Sequence, residues 1–382
     1  MAKRNKIKQE EKFYPFLIKI SLALRVITLI SAWLGWKFLL FKYSFPYDEL
    51  LWEKAGSPLL WSWANFDGFH YLILAKDGYI FGLTQAFFPV FPLLIRLSAR
   101  LIRDYLVSGL LISHLAFLGM IIFFYKLIRL DFSQKISRRA IAALVLFPTA
   151  FFFLSFYTES LFLFFVLASF YCWRKKSWLM AGFLGALTAA TKLVGIFLVP
   201  AFLYELRINK KKPFFPSLLG AILPLGGLVA YMSYLQMKFS DPLLFVHVQE
   251  EFGGGRKIDK FIFLHQVFWR YAKMIFTVDI HNPIYFTVWL ELLTAMIFLG
   301  LLLGAWIKGV RKSYLIFAGL AYILPTLTGT FSSMPRYVLV LFPAFIMIGK
   351  IKSRFWYQAW LLVSIGLLII STMLFTRGYW IA

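Results

Sequence analysis

Apolar stretches of about 20 residues, separated by short polar or basic runs, recur from Phe16 to the end of the chain. A helix of that length crosses the ~30 Å hydrocarbon core of a bilayer while satisfying its own backbone hydrogen bonds, so the pattern predicts an all-α, polytopic integral membrane protein. Six basic runs punctuate it: "KRNKIK" at 3–8, "KLIRLDFSQKISRR" at 126–139, "RKK" at 174–176, "RINKKK" at 207–212, "KGVRK" at 308–312 and "KIKSR" at 350–354. Such runs stay on the cytoplasmic side. Placing all six there requires an even number of crossings between neighbours, which gives about 11 transmembrane helices, near 16–41, 105–125, 140–154, 160–173, 178–190, 193–206, 214–237, 285–307, 314–330, 337–349 and 355–375. The segments at 178–190 and 193–206 are short and suggest a broken or re-entrant hairpin turning at "TKLVG".

The stretch 87–104, "FFPVFPLLIRLSARLIRD", is nearly long enough to span, but counting it would put the basic 126–139 loop outside. An interfacial helix fits better. Arg96, Arg100 and Arg103 fall at i, i+4 and i+7, on one face, where they snorkel to headgroups or guide a lipid-linked phosphate. Two outer loops are long, 42–104 and 238–284, and long loops tend to be functional. With no internal repeat and no Ser/Gly linker, residues 1–382 are expected to form a single transmembrane domain.

Composition agrees with the pattern. Of 382 residues, 61% are hydrophobic and only 15% charged, against about 25% charge in soluble domains. The first span, from Phe16 to Phe41, is too long for a signal-peptide core and reads as retained. The net charge of +24 would suit nucleic acid, but the basic residues sit between spans, where topology and anionic membrane lipids account for them. One cysteine, Cys172, excludes an internal disulfide and a zinc cluster.

Under this topology Glu10, Glu11, Asp131 and Glu205 lie inside and the other acids outside, so the outer side is where chemistry is expected. Asp67 stands in "WANFDGFHYLILAKDGY" with His70 and Tyr71 close behind. A carboxylate among aromatics is partly desolvated and useful as a base; equally, Asp is a good N-cap for a helix beginning at Gly68. Glu159 in "FFFLSFYTESLFLFF" borders the hydrocarbon core, where ionisable groups are costly and commonly functional, although bonding to loop backbone would also hold it there. Lys192 in "AATKLVGIF" and Arg336 in "FSSMPRYVLVLFP" are lone cations suited to a phosphate oxygen or to interfacial anchoring. In "DPLLFVHVQEEFGGGRKIDK" three glycines precede Arg256, offering backbone amides to an anion or a simple flexible turn. His247, Glu250, Glu251 and Asp259 have no spacing specific for a metal.

Together "WANFDGFHYLILAKDGY", "FFPVFPLLIRL", "FFFLSFYTESLFLFF", "TKLVGIFLVPAF", "DPLLFVHVQEEFGGGR", "SSMPRYVLVLFPAF" and "TRGYWIA" resemble, in order along nearly the whole chain, the PIG-V family of mannosyltransferases. Eukaryotic members of that family add the second mannose in GPI-anchor assembly. The resemblance implies a GT-C glycosyltransferase that takes a sugar from a polyprenyl-phosphate donor on the non-cytoplasmic face. It implies Asp67 as the catalytic carboxylate in the first outer loop. It carries a site role to Glu159 through "YTES", to Lys192 through "TKLVG", to Gln249 and Arg256 through "Q…GGGR", and to Pro335 and Arg336 through "MPRY". Phe66 stands where the family often has Trp, a mild aromatic swap, and three glycines precede Arg256 where Trp is commoner, a departure that falls on the acceptor-side contacts. High basic content, compact length and the lack of a retention signal fit a prokaryotic member in the plasma membrane, which would remove GPI as the substrate.

The expected reaction is an inverting transfer of a hexose, mannose above all. Asp67 accepts the acceptor's proton, Lys192, Arg256 and Arg336 hold the phosphate, and His70, Tyr71 and Gln249 contact the substrate. No nucleotide-binding motif is present and no cofactor is expected. The acceptor, whether glycolipid, glycan or protein, is open. Two rival classes are a polytopic transporter or lipid flippase, which would carry internal repeats and midplane charges, and a membrane scaffold, which needs no one-sided set of carboxylates and cations.

Overall fold

The computed structural model describes residues 13–42, 58–80, 82–208, 214–249 and 262–381, and among them it is helical with no strand. The main helices are α1 (Phe13–Phe38), α2 (Asp67–Lys76), α3 (Val90–Ile102), α4 (Tyr105–Ile128), α5 (Gln134–Val145), α6 (Glu159–Arg174), α7 (Trp178–Ala189), α8 (Leu198–Ile208), α9 (Phe214–Ile222), α10 (Pro224–Phe239), α11 (Leu264–Thr277), α12 (Ile284–Ile307), α13 (Lys312–Thr326), α14 (Phe342–Gly349) and α15 (Arg354–Thr376).

Four of these, α1, α4, α12 and α15, are long and apolar enough to cross a bilayer alone. The pair α9 and α10 makes a fifth candidate, bent by 44° where Pro224 begins a new helix. Long helices with exposed apolar faces, such as Ile18, Leu22, Leu29 and Trp33 on α1, are what lipid contact requires. Of the remaining expected spans, 160–173 and 314–330 are the single helices α6 and α13, and the others include breaks. Residues 140–154 form the end of α5 and a 3₁₀ turn, Ala150–Phe153. The expected hairpin is α7, a 3₁₀ segment Leu193–Phe197 and α8. Residues 337–349 form a short turn, a 3₁₀ segment and α14.

Several starts are written locally: Asp104, Ser133 and Ser353 cap α4, α5 and α15, each accepting from a backbone amide of the first turn. α6 lies along α4 and α7, α1 along α15, and α5 along α14. Close approach is needed near the start of α4, where the Phe156 ring covers Gly109 and leaves no room for a side chain.

Two polar groups lie at opposite ends of α6, about 24 Å apart by helical rise. At its C-terminal end Arg174 makes a two-pronged pair with Asp131 (2.6 and 2.8 Å) and bonds the Tyr314 hydroxyl. Glu205 there accepts from Arg311 and Ser313. Arg139 donates to the Ile351 carbonyl and Lys350 to that of Lys308. The basic runs at 126–139, 174–176, 308–312 and 350–354 therefore share one end of the bundle. Glu159 starts α6 at the other end.

The expected interfacial helix is α3, with Phe91, Ile95 and Ala99 buried and Leu93, Leu97 and Leu101 exposed. Its arginines do not act as one face. Arg96 turns back to donate to the Ala75 carbonyl at 2.8 Å and the Leu74 carbonyl at 3.2 Å, closing the C-terminal end of α2. Carbonyls in a last helical turn carry partial negative charge and draw the guanidinium, while Arg100 and Arg103 remain exposed.

Candidate active site

The segment before α2 is fixed by bonds from three directions. Phe156 N–H donates to the Trp63 carbonyl (2.9 Å), the Tyr157 hydroxyl to the Asn65 carbonyl (2.6 Å), and the Asn65 amide to the Phe375 carbonyl (2.9 Å). Phe66 then takes φ 58°, ψ −122°, a conformation that costs a non-glycine residue about 1–3 kcal/mol. Its ring is buried against Phe375 and Trp380. This kink aims Asp67, the first residue of α2. The helix thus starts one residue earlier than expected, and Phe66 rather than Asp67 occupies the cap position.

The Asp67 carboxylate meets Arg336, whose NH1 donates to Oδ2 at 2.6 Å. Arg336 Nε lies 3.7 Å from Glu159 Oε1, and Lys192 Nζ donates to the same oxygen at 2.5 Å. Four residues from four parts of the chain thus alternate in charge around one spot. Their formal charges cancel, which is what allows them to be buried. Exposure divides them: the side chains of Asp67 and Lys192 are 23% and 22% exposed, those of Glu159 and Arg336 1% and 7%. Asp67 and Lys192 therefore form the open side, and Glu159 and Arg336 the floor. Rings of Phe152, Tyr157 and Tyr337 surround the guanidinium at 5.4–5.5 Å. They add cation–π attraction where water is excluded.

Glu159 Oε2, Arg336 Nε and Ser333 Oγ are buried without a hydrogen-bond partner. Buried polar atoms are nearly always bonded, so the two on the facing Glu159 and Arg336 side chains mark a place shaped for a polar ligand.

Of the other expected residues, Tyr71 reaches the Thr158 hydroxyl at 3.4 Å, beside Glu159. Burial raises its pKa above the ordinary phenol range, with Glu159 adding to the effect, so it keeps its proton. His70 stacks on Phe87 (4.9 Å between centroids). Burial lowers its pKa, partly offset by Asp67, which favours the neutral imidazole. Gln249 follows the short turn Leu244–His247, and its amide donates locally to the Phe245 carbonyl at 3.2 Å. His247 pairs with Asp241 at 2.7 Å. Arg256, Glu250, Glu251 and Asp259 lie outside the described residues.

A second buried carboxylate stands beside the site and was not expected. Glu291 of α12 accepts from the Tyr271 hydroxyl (2.5 Å) and from Ser333 N–H (3.1 Å) in the segment that leads to Arg336. Its signal was present: a lone acid inside the apolar run "VWLELLT", which in a span is costly and seldom idle.

Residues 86–233 match the profile of the dolichyl-phosphate-mannose-protein mannosyltransferase family. No curated protein matches the chain. The matched region contains Glu159 and Lys192 but neither Asp67 nor Arg336. The architecture is that of an all-α integral membrane protein, and over residues 86–233 the chain is similar to that mannosyltransferase family. The match supports a membrane glycosyltransferase of the mannosyltransferase kind.

Proposed function

We propose that this protein transfers a hexose, mannose foremost, from a polyprenyl-phosphate carrier to an acceptor hydroxyl on the non-cytoplasmic face, with inversion and with Asp67 as general base. The observation that carries this reading is the alternating set Asp67–Arg336–Glu159–Lys192, open on the Asp67 and Lys192 side. The PIG-V resemblance and the family match agree on the mannosyltransferase class and differ in the acceptor they suggest, so the acceptor class is left to experiment.

In the transfer, the acceptor oxygen attacks the anomeric carbon, the bond from that carbon to the phosphate oxygen breaks, and its electron pair leaves with polyprenyl phosphate. The acceptor's proton passes to Asp67. Lys192 and Arg336 are the groups suited to the leaving phosphate, and both are paired with carboxylates before any ligand arrives. A phosphodiester draws on the same cations. As it does so, the Asp67 carboxylate loses part of its countercharge and becomes a stronger base at the moment the base is needed. Tyr71 and His70, flanking Asp67 along α2, are suited to contact the sugar, and Gln249 and Arg256 are kept as candidates from the second outer loop. The prenyl chain would lie in lipid-facing grooves, with the whole chain acting as one catalytic unit.

The rival reading as a transporter or flippase has less support, because the ion set lies at the end of α6 rather than midway along it. Purified protein in detergent, given radiolabelled polyprenyl-phosphate mannose and glycolipid, glycan and peptide acceptors, should release polyprenyl phosphate and label one acceptor class. Carriage of intact donor across vesicles, with no labelled product, would overturn the proposal.

A further inference from the structure

Glu291 is the eighth residue of α12, about 10 Å along it from its first residue, and it is buried. Ordinary burial does not explain an acid at that depth, and none of the transfer steps uses it. Both of its oxygens are engaged. The Tyr271 hydroxyl has a single proton and gives it to Glu291 Oε2, so the hydroxyl oxygen of Tyr271 acts as acceptor for Phe331 N–H at 3.2 Å and for the Thr330 hydroxyl at 3.2 Å. Glu291 Oε1 takes Ser333 N–H. Ser333 sits in the left-handed region, φ 65°, and its carbonyl accepts from the amides of Arg336 (3.0 Å) and Tyr337 (2.9 Å), opening the turn Met334–Tyr337. An unbroken bonded path thus runs from α11 and α12 to the residue that carries the guanidinium.

The other end of the segment is held from the same helix. Arg270 donates to the Gly329 carbonyl at 3.0 Å, and Gly329, at φ +87°, lies so close to Ile262 and Arg270 that a side chain there would collide with both. Among the described residues, the side chains that reach into residues 329–333 from outside the segment are thus those of Arg270, Tyr271 and Glu291.

We propose that Glu291 and Tyr271 are positioning residues whose bonded pair fixes the segment 329–333 and thereby sets Arg336 against Asp67 and the donor phosphate. This rests on the phosphate role of Arg336 proposed above. Neither side chain touches substrate. Their effect passes through Arg336, so it should disappear when Arg336 is absent.

The test is a double-mutant cycle on the full-length protein with polyprenyl-phosphate mannose as donor. Tyr271→Phe removes the hydroxyl and keeps the ring; it should raise donor KM and lower kcat/KM on the order of tenfold. Combined with Arg336→Ala, it should add less than about twofold to the loss from Arg336→Ala alone. Arg336→Lys, which keeps the charge but loses the fork, provides the same background should the alanine variant fail to fold. Glu291→Gln retains one acceptor and should keep more donor efficiency than Glu291→Leu. An equal fold-loss from Tyr271→Phe with and without Arg336, or unchanged donor kinetics in Tyr271→Phe alone, would overturn the positioning role. Unchanged kinetics in Arg336→Ala would overturn the phosphate reading itself, and the pair's role with it.

Discussion

At the scale of single residues, the site is a balance between two carboxylates and two cations that differ in depth. Arg336 serves both acids and is nearly enclosed, whereas Lys192 serves Glu159 alone at the open side. Removing one partner of a buried pair leaves an uncompensated charge and costs about 3–5 kcal/mol. Losing Lys192 leaves Glu159 still facing Arg336, whereas losing Arg336 removes the cation paired with Asp67 and empties a buried volume among three rings. Arg336→Ala should therefore lower the thermal midpoint in detergent more than Lys192→Ala, while both reduce donor kcat/KM by roughly ten- to a hundredfold. Equal midpoints with unaltered donor kinetics would mean that both cations merely anchor helix ends. Asp67, Glu159, Lys192 and Arg336 were legible as polar residues at outer span ends. Their pairing was not, since Asp67 and Arg336 are far apart in sequence and nothing local to either specifies the other. Glu291 was legible in principle as an acid within a span, but a topology that assigns acids by side passes over one inside the bilayer.

At the scale of elements, the sequence reads well where apolar runs are uninterrupted and poorly where they break. The helices α1, α4, α12 and α15 fall within a few residues of the expected spans. The 3₁₀ turns at Ala150–Phe153 and Leu193–Phe197 do not announce themselves, since the residues there are as apolar as their neighbours and the break is set by packing. Pro224 is the exception, a local cause of a local bend. The amphipathic character of α3 was plain from its spacing. The destination of Arg96 was not, because it depends on where α2 ends, a tertiary relation between carbonyls at 74–76 and a side chain some 20 residues later. Arg96 thereby braces the far end of the helix whose first residue is Asp67, so α3 serves the site without reaching it.

At the scale of the molecule, the two ends of α6 differ in kind. One gathers basic loops closed by Asp131 and Glu205, the other the mixed-charge site. The proposed topology assigns the first to the cytoplasm and the second to the outside. A single cysteine makes this testable: Cys172→Ser leaves a chain without thiols, into which one reporter is placed at a time. An impermeant maleimide added to intact cells should label His281→Cys, exposed near the start of α12 on the site's side, and should leave Lys352→Cys, exposed among the basic loops, unlabelled until the membrane is opened. The reverse pattern would place the site in the cytoplasm and exclude the proposed face.

The central claim is that Asp67 takes the acceptor's proton, and Asp67→Asn in the donor-to-acceptor assay tests it most directly. Asparagine keeps the size of the side chain and an oxygen for Arg336 NH1, but it accepts no proton at neutral pH. Turnover should fall by on the order of 10²–10⁴-fold, with donor KM close to that of the unmodified protein and with folding and membrane insertion preserved. Turnover within about twofold of the unmodified protein would contradict the assignment, since no general base contributes so little.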